Sequence, residues 1–248
     1  RILHVSDLHY ALRQFDWVVG AAPDFDLVVL AGDQLDLASG VPLHAQIEVV
    51  RGYLGLLHEA GRVVVSSGNH DLTGPDAHGE QAALWLSEVR AAGIPTDGDS
   101  ILAGDVLVTV CPWWDGPVGR EAVAAQLAAD AARRPGTWIW VYHWPPVESA
   151  TTWTGRRHYG DADLPAWLEE HRPDVVLTGH VHQPPFTPDG SWVDRVGSSW
   201  VFNPGNQRGP VPAFVEVDLA EGAAYWMSML GHEEVSLSAT SRPARTVF

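Results

Sequence analysis

Residues 62–71 read RVVVSSGNHD. Three successive Val residues suit a strand buried on both faces. Such a strand has no structural need to end in Gly68-Asn69-His70-Asp71, where every residue has a polar or conformational duty. Something beyond the strand end uses them. The same arrangement recurs on either side: ILHV (2–5) runs into Ser6-Asp7-Leu8-His9, and LVVLA (27–31) into Gly32-Asp33-Gln34-Leu35-Asp36. TWIWVY (137–142) runs into His143, and DVVLT (174–178) into Gly179-His180-Val181-His182.

LVTV (107–110) adds a further apolar run, and helix-like stretches cover 42–60, 78–92, 119–134 and 163–171. The third of these, GREAVAAQLAADAARR, is rich in good helix formers and ends in two Arg, as the helix dipole favours. Strands alternating with helices predict an α/β fold. In such sheets ligands bind beyond the carboxyl ends of the strands, so the five polar strand ends converge on one crevice and GNHD forms one wall of it. After residue 190 the pattern turns to strands: SWVDRV, SWVFNPGN, AFVEVDL and AAYWMSML. These are expected to complete the second sheet in antiparallel fashion, within one domain over 1–248. Residues 111–119, 143–161 and 183–190 read as loops.

The 248 residues are 46% apolar and 19% charged, a composition of folded globular chains rather than disordered ones. With 15 basic and 31 acidic residues the net charge is −16, which makes duplex DNA a poor partner. Cys111 is the sole cysteine, so an intramolecular disulfide and cysteine-rich metal sites are excluded. No apolar run approaches the roughly 18 residues of a membrane span. The sequence begins at Arg1 rather than Met, so a removed signal peptide would be invisible, and the cytoplasm is only the default compartment. Composition leaves the oligomeric state open.

Asp, neutral His and an Asn carbonyl are donors for Mn, Fe, Zn, Co or Mg. Three of the motifs place Gly ahead of the donor, where a β-carbon would obstruct a tight turn. The spacing of two in Asp7-x-His9 and His180-x-His182 would aim both side chains of each pair one way if the strand continued. An anionic Asp33 between two cations could bridge them.

D-x-H, G-D-x-x-D, G-N-H-D, a lone His before Pro-Pro, and G-H-x-H, in that order over residues 2–182, resemble the calcineurin-like metallophosphoesterase superfamily. The resemblance implies a four-layer αββα sandwich with two mixed β-sheets and a centre of two divalent metal ions, Mn favoured. It implies that Asp7, His9, Asp33 and His182 hold one ion and Asp33, Asn69, His143 and His180 the other, with Asp33 the bridge and a bridging hydroxide the nucleophile. His70 would assist at a phosphoryl or leaving-group oxygen, Asp71 would orient His70 and support its protonated form, and Asp36 would lie just outside the ligand set. GDQLDLA and GNHD depart from the Ser/Thr protein phosphatase pattern, and Asp36 stands where purple acid phosphatases place Tyr. The chain looks closer to small bacterial phosphodiesterases, whose metal-binding His precedes Pro-Pro as in HWPP (143–146). A small phosphodiester of nucleotide or glycerophosphodiester type is the implied substrate. Alternatives are a single-strand nuclease, a phosphomonoesterase or pyrophosphatase on the same site, and a metal-binding interaction scaffold.

Trp113, Trp114, Trp144 and Trp153 lie in loops flanking the motifs, where an aromatic side chain stacks on a base, covers an apolar leaving group, or simply packs. Trp114 and Trp144 are candidate substrate contacts, with Arg156, Arg157 and His158 of TGRRHYGD, beside Tyr159, as candidate phosphate contacts. Trp138 and Trp140, two apart on a strand, read as core, as does His4. The NPGN stretch (203–206) reads as a turn.

Overall fold

The computed structural model describes residues 1–134 and 136–245. β1 (Ile2–Val5), α1 (Leu12–Ala21), β2 (Leu27–Ala31), α2 (Leu43–Ala60) and β3 (Val63–Ser66) form a first alternating run. A hairpin of β4 (Gly74–Pro75) and β5 (Gln81–Ala82), then α3 (Leu86–Ala91), leads to β6 (Ser100–Ala103), β7 (Val106–Val110), α4 (Pro117–Ala131), β8 (Thr137–Val141), α5 (Leu164–His171) and β9 (Val175–Leu177). β10 (Val193–Val196), β11 (Ser199–Phe202), β12 (Phe214–Asp218), β13 (Ala223–Ser228) and β14 (Gly231–Ser236) follow.

Two six-stranded sheets run in the order β14-β13-β12-β1-β2-β3 and β10-β11-β9-β8-β7-β6. β1, β2 and β3 are parallel, as are β7, β8, β9 and β11, while β12 meets β1, β10 meets β11 and β6 meets β7 in antiparallel pairs. Strand alternation distributes each apolar run over two cores. From β2, Val28 and Leu30 pack with Phe15, Val50 and Leu54 beneath the first helices, while Leu27, Val29 and Ala31 join Ile139, Val141, Trp192 and Trp226 between the sheets. On the far side, Trp138 and Trp140 are fully buried with Val123, Leu127, Leu164 and Leu168 of α4 and α5. Helices thus cover both outer faces, giving the expected αββα layering.

Two expectations differ from the structure, and helix α1 is absent from the expected elements. The stretch 78–92 is helical only over Leu86–Ala91. Ahead of it, the Asp76 carboxylate accepts the His78 and Glu80 amides and Gly79 turns left-handed, while the Glu80 carboxylate caps α4 through the Val118 and Gly119 amides. Helix α1 carries a weak pattern, with only Gln14, Phe15 and Val18 buried. The C-terminal strands do not all complete one sheet: β10 and β11 extend the second, whereas β12 to β14 cross back to the edge that β2 leaves open on β1. β14 reads as polar because it is an edge strand; its inward Glu233 accepts Trp192 Nε1 at 2.6 Å and pairs with Arg245 at 2.7 Å. No helix among the described residues is long and apolar enough to cross a membrane.

Candidate metal centre

The strand ends do not continue as strands. Asp7, His9, Asp33 and His180 all adopt left-handed backbone, with φ of 56°, 43°, 57° and 67°. For residues with a β-carbon this costs on the order of 1–2 kcal/mol each, so the surroundings must enforce it. Cross-connections between the first two turns do so: Asp7 N donates to Gly32 O at 3.0 Å, His9 N to Asp33 O at 2.9 Å and Tyr10 N to Gln34 O at 2.9 Å. The convergence of Asp7 with His9 is therefore made by left-handed turns and not by strand alternation, while His180 and His182 part, His182 joining Asp7 and His9 and His180 joining Asp33 and His143.

Asp71 supplies the other constraint. Its buried carboxylate accepts four backbone amides, from Asp33 at 2.8 Å, Gly68 at 2.9 Å, and Gln34 and Leu35 at 3.0 Å. This corrects the expectation that Asp71 orients His70, because all four donors lie in the GDQL turn and at Gly68. Burial and the charge of Asp33 push the Asp71 carboxyl up to about 8, against the pull of the Gly68 and Leu35 amides. The three glycines act mainly by leaving room. A β-carbon would drive Gly32 into the His143 ring and Gly68 into the Asp33 carboxylate, and would bring Gly179 within 2.5 Å of Asp7 Oδ2. Only Gly32, at φ 86°, also needs glycine's conformational freedom.

These turns bring together the residues expected as ligands. Asp7 Oδ1 lies 3.3 Å from His182 Nε2, 3.9 Å from His9 Nε2 and 4.0 Å from His143 Nε2. Asp33 Oδ2 lies 3.8 Å from His9 Nε2 and 3.4 Å from His143 Nε2, between the two histidine groups. His9 and His182 face each other with Nε2 atoms 3.0 Å apart, and His180 Nδ1 touches Asn69 Oδ1 at 2.8 Å. Asp7, His9 and His182 form one set with donor atoms within 4.8 Å of one another, and Asp33, His143 and His180 form a second. The donor chemistry fits divalent cations. His143 Nδ1 bonds the Ala31 carbonyl at 2.6 Å, which leaves Nε2 as the lone-pair nitrogen of the neutral ring, and that Nε2 is buried without a hydrogen-bond partner. His180 Nε2 is likewise buried and unpartnered.

Without cations, protons compensate the carboxylates. Burial opposes the charge on Asp7, but the His182 bond and the neighbouring imidazoles hold it well below the ordinary carboxylate range. Asp33 is likewise held down by His143 against its burial. His143, disfavoured by burial but facing Asp33 and Asp7, is raised to about 9, and His182 is raised by Asp7. Burial lowers His9, and burial with the charge of His143 lowers His180 to about 4.

Around this centre, His70 donates its amide to Asp33 Oδ1 at 2.8 Å and packs its ring edgewise on His9 at 4.5 Å. Asp36 groups with His9 and His70 at the rim, its own backbone clasped by Gln46. Trp144 stands 5.5 Å from the His180 ring and stacks at 4.9 Å on Trp113. Trp114 turns away into packing, donating Nε1 to the Tyr142 hydroxyl at 2.8 Å beside the α4 and α5 core. Arg156 and Arg157 are exposed, and His158 is occupied by Thr152 Oγ1 and Ser149 O within its own loop. Two contacts escaped the sequence reading. Ser6 Oγ donates to Asp7 Oδ2 at 2.5 Å, and Asn206 Nδ2 donates to the Asp7 carbonyl at 2.5 Å, which gives the NPGN turn a place in the site.

The structure is similar to a Thermus thermophilus protein, with a TM-score of 0.60 and 18% identity over 95% of this chain and 98% of that one. A dimetal phosphatase from Danio rerio matches with a TM-score of 0.54 and 10% identity over 96% and 98%, and yellow lupin purple acid phosphatase with 0.55 and 12% over 99% and 56%. At these identities the likeness is one of fold. None of the curated protein sequences matches the chain. The family model for calcineurin-like phosphoesterases matches residues 1–184, a span that holds every strand-end donor from Asp7 to His182, and the chain therefore belongs to the calcineurin-like phosphoesterase family.

Proposed function

We propose that the protein is a dinuclear metal-dependent phosphoric ester hydrolase acting on a small phosphodiester. The observation that carries this reading is the buried His143 Nε2, which has no hydrogen-bond partner and lies 3.4 Å from Asp33 Oδ2 and 4.0 Å from Asp7 Oδ1, with His180 Nδ1 beside Asn69 Oδ1 in the same half-site. Asp7, His9, Asp33 and His182 would hold one divalent cation, and Asp33, Asn69, His143 and His180 the other. Bound there, such ions, Mn foremost among Fe, Zn, Co and Mg, polarise a phosphoryl oxygen and make water acidic enough to attack.

The chain's own residues supply the rest. Asp33 Oδ2, between the two histidine groups, is placed to be shared by both ions. His70, half-buried at the rim and outside both donor sets, is the group to donate a hydrogen bond or proton to a phosphoryl or leaving oxygen. Trp113 and Trp144 line the side near His180 with apolar surface. A diester carries one negative charge and a second substituent. The net charge of −16 penalises a dianionic monoester more, and the aromatic wall covers a second substituent, so both effects favour the diester.

The test is hydrolysis by the purified, Mn-reconstituted protein of a bis-aryl phosphodiester and the matching aryl monoester at one pH, with pyrophosphate and a single-stranded oligonucleotide alongside. A higher kcat/KM for the diester is expected. A clear monoester preference overturns the diesterase assignment, and hydrolysis of none of these overturns the enzyme reading.

A further inference from the structure

His180 is boxed in by rings that lie far from it in sequence. The Tyr159 ring stacks on it at 5.3 Å with 22° between planes, Trp113 lies at 5.1 Å, Trp144 edgewise at 5.5 Å and His143 at 5.3 Å. Trp113 and Trp144 stack on each other, so the faces they share are used up within the wall. Tyr159 closes the remaining side and is 46% exposed.

The loop carrying Tyr159 has one packing built into it. Tyr159 N donates to Thr152 O and Thr154 N to Arg157 O, both at 3.0 Å, and Trp153 bridges to His158, which makes a short hairpin arm. Asp161 closes the base: its amide bonds Pro145 O at 2.8 Å, its carbonyl accepts Val147 N at 2.9 Å, and its carboxylate holds the Tyr142 hydroxyl. Gly160 passes so close that a β-carbon would come within 2.7 Å of Pro145 O and Val147 N. The foot of the loop is tied to β10, where Asp194 Oδ2 accepts both Ser149 Oγ and Ala150 N at 2.8 Å. The arm therefore places the Tyr159 ring against His180, and the Arg157 guanidinium lies over the same ring at 5.6 Å.

We infer that Tyr159 is a positioning residue for the His180 half of the metal centre. The inference rests on the reading of His180 as a metal ligand given above. His180 sits on a left-handed turn, and among the described residues no side-chain carboxylate oxygen lies within 4.0 Å of its ring nitrogens to orient it; the one side-chain hydrogen bond of the ring there is to Asn69, a ligand candidate of the same half-site. The plane of the imidazole must then be set by packing, and a ring held in advance loses less freedom when it coordinates. Tyr159 is the open side of that packing, and its exposure means that shortening it leaves the cores intact.

The experiment titrates metal-free wild type, Tyr159→Phe, Tyr159→Ala and His180→Ala with Co²⁺ alone. The visible absorption bands are followed, and bound metal is counted by elemental analysis. Wild type and Tyr159→Phe are expected to bind two ions. Tyr159→Ala should bind one ion with unchanged affinity and the other tenfold or more weakly, with altered band intensity and an unchanged melting temperature. Wild-type affinities and spectrum in Tyr159→Ala overturn the inference, and it falls alone if His180→Ala has meanwhile lost one ion. Two tightly bound ions in His180→Ala, or none in wild type, overturn the metal-ligand reading and this inference with it.

Discussion

The Asp71 carboxylate accepts the backbone N–H of Asp33 at 2.8 Å, across 38 positions of sequence, and its other hydrogen bonds go to the amides of Gln34, Leu35 and Gly68 and not to the neighbouring His70 ring. The last residue of GNHD is thus the clamp for the turn that presents Asp33. Asp71→Asn should lower stability by about 1–3 kcal/mol, because an amide presents an N–H to a ring of four N–H donors. Urea unfolding of the metal-free protein at a pH above 8, where the Asp71 carboxyl is ionised, checks this. Unchanged stability with reduced turnover would instead restore the role of orienting His70.

Asp33→Asn should cost both ions and nearly all hydrolysis. Its Oδ2 is the oxygen set between the two histidine groups, so the charge removed is the one both ions would share on the proposed reading. Elemental analysis after dialysis against Mn decides it: two metals per chain with near-native turnover would refute the bridging role.

His70→Ala should keep its metal, since the ring lies outside the groups formed by Asp7, His9 and His182 and by Asp33, His143 and His180, and meets His9 only edgewise. Turnover on a diester with a poor leaving group should fall on the order of 10²-fold, and less where the leaving group needs no proton. An unchanged rate on the poor leaving group would reduce His70 to a packing residue.

His4 gives the protein a pH dependence. It shares the inward face of β1 with Ile2, is fully buried, and neither ring nitrogen has a hydrogen-bond partner. Burial pushes its pKa down to about 3, outweighing the opposing charge of Asp7. The unfolded chain therefore takes up a proton near pH 6.5 that the folded chain refuses. The contribution of neutral His4 is fully present above that pH and declines as pH falls toward 3, by about 1.4 kcal/mol per unit. In His4→Leu the stability of the metal-free protein should fall less steeply between pH 6 and 4. An unchanged slope would show that His4 is not the group responsible.

What the sequence determined by itself was local. Uninterrupted runs such as LVVLA and VVV have no polar face to expose, so they specify two-faced burial and a layered α/β fold. The residues at their ends, from Asp7 to His182, carry donor chemistry that no strand requires. Contacts chosen at long range were decided only by the tertiary structure. GHEEVS is an edge strand whose pairing on β13 no local pattern displays, and β12, whose Val215 and Val217 are buried between the sheets, pairs on the edge of β1 that β2 leaves open, a choice its own pattern does not display. Asp71 serves Asp33 and not its neighbour His70 because buried backbone amides in the facing turn need an acceptor. Tyr159 reaches His180, and Trp114 leaves the site for Tyr142, because backbone hydrogen bonds fold the loops that carry them. Periodicity reports which face of a strand is buried; it does not report which distant side chain will lie across from it.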